Sequence, residues 1–119
     1  MKIMILAVIA LSLAATAPNP IIGRWETKPS PKGNVTLLNM KADGNFEGYI
    51  NKKPFVSGTY SYIDRDSVLS FVDNGCNKAR GTYKVVFFSE GDSIRFEPIM
   101  DTCTERRNGM SKTIMGRVK

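Results

Sequence analysis

The densest group of chemically capable side chains in this sequence is the segment Asp101-Thr102-Cys103-Thr104-Glu105-Arg106-Arg107. It combines carboxylates, guanidinium groups and a cysteine, and a rigid polar loop of this kind is a common place for a functional site. The competing interpretation is structural: Asp101 caps the turn or pairs with Arg106, and the pair stabilises a loop that crosses one end of the fold. We favour the structural interpretation.

Catalytic chemistry finds little support elsewhere in the chain. The sequence has no histidine, which excludes Ser-His-Asp and Cys-His nucleophile systems and the usual metal sites. Two pairs of acids, Asp64 with Asp66 and Glu90 with Asp92, fall in predicted turns, where carboxylates are expected for local reasons. No glycine-rich phosphate loop is present, because the glycines are scattered over hairpin tips. We therefore predict a protein that is not an enzyme, with no catalytic residues, no metal site and no cofactor.

The N-terminal residues are typical of an export signal. Lys2 supplies the positive start, residues 3–13 are apolar, and residues 14–17 are small. The apolar run is too short to span a bilayer, and it does not alternate as a buried strand would. We predict a signal peptide over residues 1–17, a single domain over residues 18–119 and a secreted or periplasmic location. Proline at position 18 is a poor residue to follow a cleavage site, so cleavage one to three residues earlier stays an alternative.

The chain has two cysteines, Cys76 and Cys103. In an oxidising compartment such a pair is most simply a disulfide. A metal pair or a redox pair is the alternative, but there is no histidine to complete a zinc site and no Cys-x-x-Cys spacing. Closing this loop would stabilise a small domain by about 3 to 4 kcal/mol in the chain-entropy model.

The chemistry must be positioned by strands, because short alternating runs separated by strong turn signals fill the rest of the chain. No amphipathic helix is predicted after the N-terminal segment. The predicted strands are Arg24 to Lys28, Val35 to Lys41, Asn45 to Ile50, Phe55 to Ile63, Ser67 to Asp73, Arg80 to Phe88, Ser93 to Ile99 and Ser111 to Val118.

Eight such runs joined by tight turns predict antiparallel neighbours, hairpin after hairpin. Closure of the ladder removes the exposed edges that invite aggregation. The predicted fold class is therefore all-β, a small eight-stranded antiparallel up-and-down barrel. We expect the protein to be a monomer. A barrel of eight strands is either filled by side chains or holds one small ligand. The predicted inward-facing residues are Val56, Tyr60, Tyr62, Tyr83, Val85, Phe87, Ile94 and Phe96.

The first predicted strand carries Gly23-x-Trp25 and the last carries Arg117, and with the eight-strand order and the export signal these features resemble the lipocalins and the wider calycin superfamily. The second half of the chain carries Gly58-Thr59-Tyr60, Gly81-x-Tyr83 after Cys76, and Asp101-x-Cys103-x-x-Arg106, and in these motifs it resembles short bacterial lipocalin-like domains that are exported. The lipocalin resemblance implies that Arg117 stacks on Trp25 and closes the barrel base, which is a favourable cation–π arrangement. The chain departs from typical lipocalins in being shorter and in lacking their C-terminal helix.

The aromatic interior suits an apolar ligand oriented by tyrosine hydroxyl groups. Its candidate lining or filling residues are Phe46, Tyr60, Tyr62, Phe71, Tyr83, Phe87 and Phe96. The same residues suit a filled barrel, and we expect partial filling with a shallow pocket at one mouth. The predicted ligand-binding residues are Tyr60, Tyr62, Tyr83, Phe87 and Phe96.

The net charge of the chain is +6, from 17 basic and 11 acidic residues. The basic residues are spread over several turns without interleaved aromatic residues, so nucleic acid is not the expected partner. We interpret the charge as a solvated surface and leave acidic polymers, acidic lipids or an acidic protein as alternatives.

Two functions remain. The first is the binding of a small hydrophobic or amphipathic ligand at the barrel mouth. The second is a protein-binding module, such as an exported protease inhibitor that uses its N-terminal segment, residues 18–22, and its loops.

Overall fold

The predicted strands are present, and they close into a barrel in the order in which they occur along the chain. The computed structural model describes residues 19–119, so the predicted signal peptide over residues 1–17 and Pro18 lie outside the described residues. The strands are β1 (Gly23–Glu26), β2 (Thr36–Met40), β3 (Asn45–Ile50), β4 (Lys53–Ile63), β5 (Val68–Asp73), β6 (Gly81–Phe88), β7 (Ser93–Asp101) and β8 (Ile114–Arg117).

Every strand is antiparallel to its neighbours, and β1 pairs with β8 to complete the cylinder. At this seam Trp25 lies opposite Arg117 and Glu26 lies opposite Gly116. The all-β fold class and the up-and-down order predicted from the turn pattern are confirmed.

Connections alternate between the two ends because each strand reverses the direction of the last. We call one end the open end. It carries the β1–β2, β3–β4, β5–β6 and β7–β8 connections. We call the other the closed end. It carries the remaining three connections together with residues 19–22 and 118–119.

The barrel interior follows the alternation of the strands. On β6, Tyr83 and Val85 are buried while Lys84 between them is exposed, and on β7, Ile94 and Phe96 are buried on either side of Arg95. This is the period of two that a half-buried strand requires. The core consists of Ile21, Trp25, Met40, Phe46, Leu69, Phe71, Tyr83, Val85, Ile94, Phe96 and Met115.

One helix is present that the sequence does not predict. Residues Thr104–Ser111 form a helix, α1, and β8 begins only at Ile114 instead of Ser111. The sequence of α1 lacks the apolar period that marks a packed helix, and none of its residues is fully buried. Asn108-Gly109 within it is typical of a hairpin turn, so the sequence favours a turn before the last strand over a helix. Within residues 19–119 no helix has the length and apolarity to cross a membrane.

Candidate functional site

The closed end is sealed by Trp25 and Arg117. Trp25 is fully buried, and the Cζ atom of Arg117 lies 4.1 Å from the centre of its ring system. The contact implied by the lipocalin resemblance is therefore present. Gly23 is required beside it, because its φ is +133° and a Cβ there would lie 2.9 Å from Nη1 of Arg117.

The N-terminal segment is part of this seal. Arg117 donates hydrogen bonds to the carbonyl oxygens of Ile22 (3.1 Å) and Pro20 (2.8 Å). Trp25 Nε1 donates to the carbonyl oxygen of Ile21 (3.0 Å), whose side chain is buried in the core. Residues 19–22 are thus fastened across the barrel base.

The open half of the barrel contains a cavity of about 570 Å³. It reaches buried core residues and so extends deeper than the shallow pocket expected from the sequence. Its wall is predominantly apolar, with polar groups gathered where the β5–β6 connection and α1 border it. The apolar side chains of the wall are Leu38, Met40, Phe46, Phe55, Val56, Leu69, Phe71, Phe96, Met110 and Met115.

The border of the cavity is built by two segments joined by the disulfide. Cys76 and Cys103 are bonded with their Cα atoms 5.8 Å apart, which confirms the predicted pairing. Cys103 immediately precedes α1, and Cys76 begins a single turn, Cys76–Lys78, in the β5–β6 connection. All three residues of that turn have positive φ, between 51° and 59°. Left-handed backbone costs about 1 to 2 kcal/mol per non-glycine residue, so the turn depends on its attachments.

Arg106 supplies the main attachment. Its Nε and Nη2 atoms each donate a 2.8 Å hydrogen bond to the carboxylate of Asp101, and Nη1 donates to Asp73 at 3.1 Å. Nη2 also donates to the carbonyl oxygen of Ala79 at 2.8 Å. The guanidinium therefore joins the ends of β5 and β7 to the β5–β6 connection, and it covers the ring of Phe71 with Cζ 5.0 Å from the ring centre.

The two carboxylates of this cluster are buried and hydrogen bonded by the backbone as well. Asp101 accepts from the Cys103 amide at 3.0 Å and from the Tyr83 hydroxyl, and Asp73 accepts from the Gly75 amide at 2.8 Å. All three charged side chains are at most 10% exposed. The predicted pairing of Asp101 with Arg106 is confirmed, and the segment serves as a structural clamp at the open end.

Ionisation in the cluster follows from burial and pairing. Burial alone would raise the pKa of Asp101, but the hydrogen bonds from Arg106 and Tyr83 outweigh it, and the pKa lies below its ordinary value. Burial, reinforced by the bond to Asp101, raises the pKa of Tyr83. The bond to Asp101 raises the pKa of Arg106. Arg106 and Asp101 are therefore a charged pair and Tyr83 a neutral donor over the whole range of ordinary pH.

The structure divides the five predicted ligand-binding residues between the two ends. Phe96 lines the cavity. Tyr83 is fully buried beside it, stacked on Phe71 with ring centres 5.8 Å apart. The other four, Tyr83 included, do not line it. Tyr62 packs edge-on against Phe87, which packs against Trp25, and the Tyr60 hydroxyl donates to the carbonyl oxygen of Lys41 at the closed end.

Several residues of the cavity wall were not predicted as site residues. Leu38 and Met40 on β2 and Leu69 on β5 occupy alternate positions of short strands. That alternation was a usable signal for an inward face. Which half of the barrel those positions occupy depends on the register between strands. Met110 lies on α1, for which the sequence carried no such pattern.

Among residues 19–119 no cluster of three cysteine, aspartate or glutamate side chains is arranged to hold a metal ion. Comparison of the chain with protein-family models, with curated protein sequences and with solved structures finds no match. Any functional assignment therefore depends on the geometry of the structure alone.

Proposed function

We propose that this chain is an exported lipocalin-like barrel that binds one small hydrophobic or amphipathic ligand in the cavity at its open end. The observation that carries the proposal is the apolar cavity of about 570 Å³ inside a barrel whose other end is sealed. Pockets for small ligands typically measure about 300 to 1,000 Å³ and have mostly apolar walls with a few polar groups.

The expected source of affinity is apolar burial. Each buried methylene contributes about 0.8 kcal/mol, so a chain of about ten methylenes would contribute about 8 kcal/mol before the cost of association. The polar groups bordering the cavity, including Thr36, Asn74 and Thr113, suit the polar end of an amphipathic molecule.

Export and calycin membership are supported by separate features. The disulfide suits an oxidising compartment, in line with the signal-like residues 1–17. The stacking of Arg117 on Trp25 at the sealed base supports the lipocalin-like assignment.

The protease-inhibitor alternative has less support. It needs residues 18–22 to enter the active site of another protein. Of these, Pro20 to Ile22 are held at the closed end by Arg117 and Trp25, and Ile21 is 1% exposed. Releasing them would open the core.

Thermal-shift and calorimetric titration of residues 18–119 with fatty acids, porphyrins and hydrophobic metabolites tests the proposal. We expect at least one of these probes to raise the melting temperature. Met110→Trp places a larger side chain in the cavity wall and should weaken that binding at least tenfold. The control is Ile63→Trp, at an exposed site at the closed end that does not line the cavity. Binding by none of the probes, or equal binding by both variants, would count against a ligand in the cavity.

A further inference from the structure

The charge of the molecule is divided unequally between the two ends of the barrel. The connections at the open end contain eight lysine or arginine residues and one glutamate, whereas the connections and terminal residues at the closed end contain three basic and five acidic residues. The strands are balanced. The net positive charge of the described chain therefore resides at the end where the cavity lies.

The exposed basic residues of the open end form what we call the cationic collar. Arg106 is not included because it is buried with Asp101 and Asp73. Lys53 is included because it is the first residue of β4. The collar consists of Lys28, Lys32, Lys52, Lys53, Lys78, Arg80, Arg107 and Lys112.

The collar is electrostatically uncompensated. Within residues 19–119 none of its members forms an ion pair. At the closed end, by contrast, Lys41 pairs with Glu47 at 3.1 Å, Arg65 with Asp66 at 3.5 Å and Lys119 with Asp92 at 2.9 Å. Unpaired charge of one sign creates a potential that attracts an extended anionic surface.

Large apolar side chains are exposed at the same end. Phe55, near the start of β4, is 66% exposed, and Ile99 and Met100, near the end of β7, are 56% and 64% exposed. Phe55 also borders the cavity. A surface made for a soluble polyanion needs only the basic groups. Basic side chains mixed with exposed apolar ones suit the boundary between lipid headgroups and acyl chains, where each type meets its own environment.

We propose that the open end of the barrel docks onto a bilayer surface that contains anionic lipids. The collar contacts the headgroup phosphates, and Phe55, Ile99 and Met100 enter the interface. This inference goes beyond ligand binding and does not depend on it, because the collar and the exposed apolar residues would act whether or not the cavity is filled. Docking in this orientation would turn the cavity toward the lipid.

Vesicle flotation with residues 18–119 tests the docking. These residues suffice for the test because the barrel closes and forms its own core within them. The apolar N-terminal run is left out so that it cannot itself bind the vesicles. We expect binding to vesicles of equal parts phosphatidylglycerol and phosphatidylcholine, loss of that binding in high salt, and no binding to pure phosphatidylcholine.

Two variants with the same net charge separate position from total charge. The collar variant carries Lys28→Gln, Lys32→Gln, Lys52→Gln and Lys53→Gln. The control carries Arg24→Gln, Arg65→Gln, Lys84→Gln and Lys119→Gln, all exposed and outside the collar. Each cation near a lipid surface is worth about fivefold in affinity. The collar variant should therefore bind at least 100-fold more weakly, and the control should remain within tenfold of the parent protein. Thermal unfolding of both variants checks that they are folded.

A third comparison tests the apolar contribution and the choice of partner. Met100→Ser should weaken vesicle binding about fivefold, because an exposed apolar side chain is lost from the interface. Ile63→Ser at the closed end should not. Equal weakening by the collar variant and its control, or failure to bind anionic vesicles, would overturn the proposal. So would binding to soluble polyglutamate as tight as binding to vesicles and insensitive to Met100→Ser, a result that would favour an acidic macromolecule. None of these outcomes bears on the Met110→Trp titration.

Discussion

Arg106 secures the open end because its single guanidinium reaches three segments of the chain. It bonds Asp101 at the end of β7, Asp73 at the end of β5 and the Ala79 carbonyl oxygen between β5 and β6. Four of its five N–H donors are used in this way. A buried arrangement of this type gives little net stability over an apolar one, but it is costly to break because the remaining charges stay buried.

Replacing Arg106 with alanine should therefore lower the free energy of unfolding by about 3 to 5 kcal/mol, since two buried carboxylates lose the one cation that pairs with them among residues 19–119. Arg107→Ala is the matched control. Arg107 is the next residue of α1, is exposed and has no ion pair among the described residues, so its loss should cost less than about 0.5 kcal/mol. Urea unfolding measures both. A loss below 1 kcal/mol for Arg106→Ala would mean that the clamp does not hold the mouth.

The ionisation of Asp101 adds a pH dependence with a definite sign. Its pKa in the folded protein is below its ordinary value of about 4, so folding favours the ionised form. The stabilisation is fully present above pH 4 and is lost as the pH falls through the folded pKa. Asp101→Asn should cost about 1 to 3 kcal/mol near pH 7, and the difference from the parent protein should shrink between pH 4 and pH 3. Urea unfolding at pH 7, 5, 4 and 3 measures it, with Asp64→Asn in an exposed turn as control. A difference at pH 3 as large as at pH 7 would contradict the assignment.

At the scale of elements, strand β4 depends on Gly58. An added Cβ would lie 1.9 Å from the carbonyl oxygen of Val72 and 2.8 Å from the Cα atom of Asp73. Backbone atoms cannot rotate away as a side chain can, so β5 would have to move. Gly81 on β6 has a different role, because a Cβ there would lie 3.0 Å from Oδ2 of Asp101 and 3.1 Å from Nη2 of Arg106. Gly58 thus makes room for the neighbouring strand, and Gly81 makes room for the clamp.

Gly58→Ala should destabilise the protein by at least about 1 to 3 kcal/mol, because the added Cβ would overlap the backbone of β5. The same substitution at Gly109, inside α1, should be neutral or stabilise by up to about 1 kcal/mol. A Cβ at position 109 meets no atom within 4 Å, and alanine is the better helix former. Chemical denaturation distinguishes them. Similar free energies for the two variants would show that β5 yields without cost.

At the scale of the molecule, the seam between β1 and β8 is the shortest pairing in the barrel. It comprises Trp25 opposite Arg117 and Glu26 opposite Gly116, with one further bond from the Val118 amide to the Arg24 carbonyl oxygen (2.8 Å). The β6–β7 pairing runs from Gly81 opposite Asp101 to Phe88 opposite Ser93. Closure of the cylinder thus depends on few bonds, reinforced by the Trp25–Arg117 contact.

Local opening should begin at this seam. We expect the amide of Val118 to exchange with solvent deuterium at least 100-fold faster than the amides in the middle of β6, because few bonds must break to expose it. Nuclear magnetic resonance of the folded protein in deuterated buffer measures the rates. Equal protection at the two places would show that the barrel opens only by global unfolding.

The polarity of the molecule is also a whole-molecule property, although the sequence contained the signal for it. In an up-and-down ladder, alternate turns lie at the same end. Sorting the turns in this way would have collected the lysines of residues 27–35 and 51–52 with those of residues 74–80 and 102–113. The interpretation of these residues as a general solvated surface does not assign them to one end of the barrel.

The sequence by itself determined the number and order of the strands, the inward faces of β4, β6 and β7, and the pairing of Cys76 with Cys103. These follow from alternation and turn residues, which act over a few neighbouring positions, and from the small number of cysteines. Only the tertiary structure decided that α1 forms, that Arg106 joins two distant aspartates, and that a cavity remains on one side of Phe96 while Tyr62 and Phe87 fill the other. The physical reason is that empty volume and buried ion pairs depend on the register of all eight strands together, and no local stretch of residues encodes that sum.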